Sequence, residues 1–124
     1  MLLVDDESEI INMGRRMLEP LGYRVTVCSD SREALSLIEA DPTAYDLIIT
    51  DQTMPHMTGA ELAVKLLALR PELPIILMTG HSDVLTPEST RQIGIRELLT
   101  KPIMMRQLNG AIRRQLDNPQ PKEA

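Results

Sequence analysis

Four short clusters in this sequence carry groups suited to phosphoryl chemistry: Asp5-Asp6, Asp51, Thr79-Gly80 and Lys101. Three carboxylates brought to one place repel one another, by about 4 kcal/mol per pair at ~4 Å and an effective dielectric near 20. A cation must offset that. An oxygen-ligated divalent ion is the natural candidate, and Mg²⁺, or Mn²⁺ in its stead, binds through a few carboxylates while keeping waters and phosphate oxygens. Lys101 adds an ammonium, a point charge matched to a phosphoryl oxygen. These are the parts for phosphoryl transfer to a carboxylate, where catalysis is mainly in-line positioning and charge neutralisation. Asp51 is the expected acceptor, becoming an aspartyl phosphate. Asp6, Asp51 and the backbone carbonyl of Thr53 are the expected ion ligands, with Asp5 acting through water. Thr79, Gly80 and Lys101, with Thr53 beside them, are expected to bind the phosphoryl group.

Taken singly, each group has a plainer role. Acid pairs at strand ends complement helix dipoles, and one Asp ahead of a turn is usually turn chemistry. Thr79 alone reads as a hydrogen-bonded loop residue and Lys101 alone as a surface charge. Their joint placement, each at a strand end, is what favours chemistry. His56 and His81 lack metal-ligand spacing, and Cys28 reads as a small apolar filler.

The elements that must position these groups follow from hydrophobic periodicity. Residues 1–4 form an apolar run stopped by Asp5-Asp6-Glu7. Ser8 is placed to cap a helix with Ile10, Met13, Met17, Leu18 and Leu21 inward and Gly14 on the same face, ended by Pro20 and Gly22. Residues 24–28 alternate as an edge strand. Ser29 or Asp30 begins a helix with Ala34, Leu35, Leu37 and Ile38 inward, broken at Asp41-Pro42. A strand over residues 47–50 runs into Asp51. Thr58 and Glu61 then make a Thr-x-x-Glu helix start, and Leu62, Ala63, Leu66 and Leu69 face inward as far as Arg70-Pro71. Residues 75–78 suit a strand covered on both faces. Thr86-Pro87 opens a short helix over residues 87–93, closed by Gly94. A strand over residues 97–100 precedes Lys101-Pro102, and a helix over residues 104–116 turns Leu108, Ala111, Ile112 and Leu116 inward. Residues 118–124 read as a disordered tail or linker after one domain over residues 1–117. Five strands alternating with five helices imply an α/β, three-layer, doubly wound parallel sheet, and the four clusters then share one sheet edge.

The 124 residues suit one domain, and 43% hydrophobic with 25% charged residues is ordinary for a globular chain. With no Phe or Trp, the core must be aliphatic, and the eight Met residues are expected to do much of the filling. The net charge of −5 and the lack of a basic surface argue against direct nucleic-acid binding. No apolar run approaches the ~20 residues of a membrane span, and one cysteine allows no internal disulfide. A cytoplasmic module without direct membrane contact is expected.

The residues resemble the receiver domain of two-component response regulators, a chemotaxis-protein-like module. The resemblance runs from Leu2 to about Leu116 and rests on Val4-Asp5-Asp6-Glu7, Asp51-Gln52-Thr53-Met54-Pro55 with Met57-Thr58-Gly59, Met78-Thr79-Gly80, and Thr100-Lys101-Pro102. It implies a flavodoxin-like strand order 2-1-3-4-5, Asp51 as acceptor from a histidine kinase or histidine phosphotransfer protein, and a Mg²⁺ requirement. It also implies a cis peptide before Pro102, a docking role for Ile11 towards the donor helix, and a homodimer on phosphorylation. The family's switch aromatic is replaced here by Leu98, leaving the Thr79 hydroxyl to carry the switch, and Ile103 stands where Phe is common. The wording around Asp51 and over residues 94–99 is similar to receivers attached to hybrid sensor histidine kinases.

Two rival readings share these residues. A haloacid-dehalogenase-type phosphatase also uses a strand-end Asp with Mg²⁺, but normally has a second Asp two residues on, where Thr53 stands. A phosphorylation-independent interaction module would be expected to lack the acceptor or the lysine, and both are present. The expectation is therefore a switch that catalyses only its own phosphorylation and dephosphorylation.

Overall fold

A computed structural model describes residues 1–80 and 85–116. The expectations for His81 and for the tail over residues 118–124 lie outside the described residues. The order is β1 (Leu2–Val4), α1 (Ser8–Leu18), β2 (Thr26–Cys28), α2 (Ser31–Ala40), β3 (Ile48–Asp51), α3 (Gly59–Leu69), β4 (Ile75–Thr79), α4 (Pro87–Ile93), β5 (Glu97–Thr100) and α5 (Met105–Leu116). All pairings are parallel and the strand order is β2-β1-β3-β4-β5, as the resemblance implies.

Alternate residues of a strand face opposite sides of the sheet, and here both sides are buried. Leu2, Val4, Ile48, Ile75 and Leu77 pack against Ala34 and Ile38 of α2 and Leu62, Ala63 and Leu66 of α3. Leu3, Ile49, Ile76 and Met78 pack against Leu18 of α1 and Leu108, Ala111 and Ile112 of α5. Gly14 lets α1 approach, since a Cβ there would lie 2.6 Å from Leu3 Cδ2.

Local chemistry sets most helix starts. Asp30 caps α2 by accepting from the Arg32 N–H at 2.7 Å. Thr58 and Glu61 form the expected reciprocal capping box of α3, and Thr86 pairs likewise with Ser89 at α4. Gly94 closes α4 with φ of 111°.

Several expectations are corrected. Ser8 is the first helical residue of α1 rather than its cap, because Glu7 takes the extended cap position. Met13, Leu21 and Leu69 are exposed. Leu21 lies in a 3-10 turn, Glu19–Leu21, that follows α1 with Pro20 in its first turn, where proline cannot continue the α-helix. Leu69 sits in the last turn of α3. Methionine is not the main filler: Met54 and Met78 are buried, while leucine and isoleucine supply the largest enclosed side chains. β2 begins at Thr26, β3 ends at Asp51 itself, and α5 begins at Met105.

Candidate functional site

Strand register builds the site. Val4 lies opposite Thr50, so the next residues, Asp5 and Asp51, are neighbours at the strand exits. Asp51 pairs with Met78, one residue before Thr79, and Thr79 pairs with Thr100, one residue before Lys101. Backbone hydrogen bonds tie the exits together: the Lys101 N–H donates to the Thr79 carbonyl at 2.7 Å, and the Gln52 N–H to the Met78 carbonyl at 2.8 Å. The Lys101–Pro102 peptide is cis.

Asp5, Asp51 and Thr79 are buried, whereas Asp6 and Thr53 are exposed. Asp5, Asp6 and Asp51 each offer an oxygen within 4.8 Å of the others. Asp5, expected to act through water, lies within that same limit. Lys101 Nζ lies 2.9 Å from Asp51 Oδ1, 3.6 Å from Asp5 Oδ2 and 3.5 Å from Glu7 Oε1. The Glu7 N–H donates to Asp5 Oδ1 at 2.9 Å. Asp5 Oδ2 is buried and accepts no hydrogen bond among the described residues.

These surroundings shift the acids upward. Burial pushes the Asp5 carboxyl up to about 6, against the Glu7 N–H and with the help of the Asp51 charge. Burial also raises Asp51, although the Lys101 hydrogen bond and charge oppose it. Burial disfavours the Lys101 ammonium, but the hydrogen bond to Asp51 and the charges of Asp5, Asp51 and Glu7 outweigh it, so its pKa is raised.

The loop after Asp51 is fixed tightly. The Gly59 N–H donates to the Gln52 carbonyl at 3.0 Å, and the Ala60 N–H to Gln52 Oε1 at 2.8 Å. A Cβ on Gly59 would collide with the Asp51 carbonyl oxygen and lie 2.6 Å from Leu77 Cδ1. His56 takes φ of 72°, a left-handed conformation uncommon for residues other than glycine. Thr79 Oγ1 lies 3.4 Å from the Gly80 carbonyl oxygen. Leu98 is half-buried on β5 and packs against the core on the α2–α3 side.

The structure thus brings together Asp5, Asp6, Asp51, Thr79 and Lys101 at one sheet edge. Sequence reasoning missed Glu7 as a partner of Lys101. The available signal was a glutamate where a helix cap normally has a shorter side chain.

The model of the response regulator receiver domain matches residues 1–113. The chain belongs to this family. Receiver domains are signalling modules of two-component systems. This receiver domain is 35% identical over 107 residues to the two-component response regulator ARR11 of Arabidopsis thaliana, covering 86% of this chain and 20% of that protein. It is 35% identical over 112 residues to the C4-dicarboxylate transport transcriptional regulatory protein DctD of Rhizobium meliloti, covering 90% of this chain and 24% of that protein. The receiver domain therefore spans about a fifth to a quarter of these relatives. A response regulator receiver domain from Clostridium thermocellum superposes with a TM-score of 0.88 at 30% identity, covering 94% of this chain and 92% of that one. A CheY-like receiver from Methanospirillum hungatei gives 0.86 at 30% identity, covering 95% and 93%.

Because relatives include transcriptional regulatory proteins, the expectation of no nucleic-acid partner is not supported for any longer protein containing this receiver. The charge argument reaches only these 124 residues. Among the described residues, no helix is long and apolar enough to cross a membrane.

Proposed function

We propose that this receiver takes a phosphoryl group from a phosphohistidine donor onto Asp51 in a Mg²⁺-dependent step, and signals by a change of conformation in a two-component phosphorelay. The observation that carries this is the buried Asp51 carboxylate, 2.9 Å from Lys101 Nζ, with Asp5 and Asp6 beside it. The donor set fits a hard divalent ion: three converging carboxylates, one with a buried oxygen that accepts no hydrogen bond. Asp5, Asp6, Asp51 and the Thr53 carbonyl would hold Mg²⁺, or Mn²⁺ with the same oxygen donors. Bound there, the ion supplies charge neutralisation to the carboxylates and to the phosphoryl oxygens.

The chain's own groups do the rest. An Asp51 oxygen attacks phosphorus, the new O–P bond forms as the donor's P–N bond breaks, and the ring, already protonated on its other nitrogen, leaves as neutral imidazole with the bonding electron pair. Lys101, the Thr79 hydroxyl and the Gly80 N–H meet the phosphoryl oxygens, and Thr53 flanks them at the exposed rim. With an aliphatic Leu98 in the switch position, movement of the Thr79 hydroxyl is the primary readout. Turnover is confined to the domain's own phosphate.

The partner is a histidine kinase or histidine phosphotransfer protein. An apolar groove of about 230 Å³ beside Lys101, lined by Ile10, Met13, Met17, Ile103 and Met104 among others, supports docking of a donor helix there. Half-buried Ile11 is the adjoining contact on α1. The reading includes a domain over residues 1–117 followed by a linker, a cytoplasmic setting, attachment to a hybrid sensor kinase and dimerisation on phosphorylation. To test it, the protein is incubated with Mg²⁺ and acetyl phosphate while intact mass and phosphate release are followed. One hydroxylamine-labile phosphate, lost in Asp51→Asn, supports the receiver reading. Rapid turnover of many phosphate esters would favour a phosphatase, and no labelling by any donor an interaction module.

A further inference from the structure

Glu7 holds the N-cap position of α1 with φ of −93° and ψ of 114°, yet its side chain makes no capping hydrogen bond. Helices α2, α3 and α4 all begin with a side-chain cap, from Asp30, Thr58 and Thr86. Lacking such a cap costs about 1 kcal/mol. Departures from local preference of this kind concentrate at functional sites. The Glu7 carboxylate instead reaches Lys101 Nζ at 3.5 Å, across 94 residues of sequence. Its N–H meanwhile holds Asp5 Oδ1 at 2.9 Å. One residue therefore grips the buried carboxylate through its backbone and the ammonium through its side chain.

Among the described residues Lys101 has three carboxylate partners, and they differ in one respect. Asp5 and Asp51 belong to the cluster that could hold a cation, whereas Glu7 does not. Once a cation neutralises Asp5 and Asp51, their pull on Lys101 falls and the cation repels the ammonium. Glu7, with its side chain 60% exposed at the rim, keeps its charge directed at Lys101. We propose that Glu7 is a positioning residue that retains the Lys101 ammonium at the mouth of the site when a divalent cation occupies Asp5, Asp6 and Asp51. The ammonium then stands ready for the phosphoryl group. This rests on the phosphoacceptor reading of Asp51.

The test compares the wild-type full chain with Glu7→Gln and Glu7→Asp at saturating Mg²⁺. Labelling by acetyl phosphate gives the half-saturating donor concentration, a Mg²⁺ titration gives the ion's half-saturation, and trace acetic anhydride with peptide mass mapping gives the reactivity of Lys101. Glu7→Gln is expected to raise the half-saturating acetyl phosphate concentration about three- to five-fold, the upper part of what an exposed ion pair contributes. Maximal rate and Mg²⁺ half-saturation should stay within about two-fold, Lys101 should acylate about two-fold faster, and Glu7→Asp should fall in between. An unchanged or lowered donor requirement overturns the proposal, as does a shifted Mg²⁺ half-saturation with Lys101 reactivity unchanged. If acetyl phosphate fails to label even the wild type, the phosphoacceptor reading fails. Lys101 acylation then still decides whether Glu7 holds the ammonium: faster acylation in Glu7→Gln upholds that grip, and equal rates overturn it.

Discussion

Replacing Asp5 with Asn should make the metal-free protein more stable at pH 7.5, although it removes a buried charged partner of Lys101. The Asp5 carboxyl has its pKa raised from 3.8 to about 6 in the folded protein, chiefly by burial. The native state therefore holds a proton that the unfolded state releases between about pH 4 and pH 6. Stability is unaffected by this group below the unfolded pKa, falls as pH rises through the window, and stays lowered above the folded pKa. A rise of about two units corresponds to about 3 kcal/mol at neutral pH. Asn keeps an oxygen for the Glu7 N–H, loses the attraction to Lys101, and removes repulsion from Asp51, so a net gain of about 1–3 kcal/mol is expected. Urea unfolding with EDTA at pH 7.5 and pH 4.5 measures it: the gain should be smaller by about 2 kcal/mol at the second pH than at the first. Adding Mg²⁺ should stabilise the wild type more than the variant. A loss of stability at pH 7.5, or a gain independent of pH, would refute the reasoning that burial and carboxylate crowding strain this site.

Other substitutions probe the scaffold and the docking face. His56→Asn should raise stability by about 0.5 kcal/mol, because asparagine tolerates a φ of 72° better than histidine, and an unchanged or lower urea midpoint would count against strain at that turn. Gly59→Ala should cost about 2 kcal/mol and lower acetyl phosphate labelling, since its Cβ meets the Asp51 carbonyl and Leu77. Wild-type stability and labelling would show that the loop yields freely. Ile11→Ala should slow transfer from a phosphorylated histidine protein more than it lowers stability; comparable losses in transfer kinetics and urea melts would place Ile11 in the core.

The sheet edge was legible because each apolar run ends abruptly at its polar group: Val4 at Asp5, Met78 at Thr79, Leu99-Thr100 at Lys101. Asp51 proved to be the last residue of its strand, since its backbone still pairs opposite Met78. The capping box at Thr58 and Glu61 was equally readable, because it depends only on local spacing. Periodicity failed where helices end. Leu21 and Leu69 lie on the expected stripe, but they sit in the turns that end their helices and are exposed there. Polar contacts over long separations left little local trace, since even the unusual cap residue Glu7 does not name its partner. Lys101 meets Glu7 this way, and Arg70 donates to the Tyr45 carbonyl at 2.6 Å. Gln115, buried on α5, donates to Glu97 Oε2 at 2.9 Å, although a helical pattern alone would assign it to solvent.

The central claim concerns one carboxylate, so the most direct measurement identifies the modified residue itself. After incubation with Mg²⁺ and acetyl phosphate, borohydride reduction converts an aspartyl phosphate to homoserine, and peptide mass spectrometry locates it. The account predicts homoserine at position 51, absent when EDTA replaces Mg²⁺. Homoserine at another position, or none at 51 in a protein that carries phosphate, would contradict it.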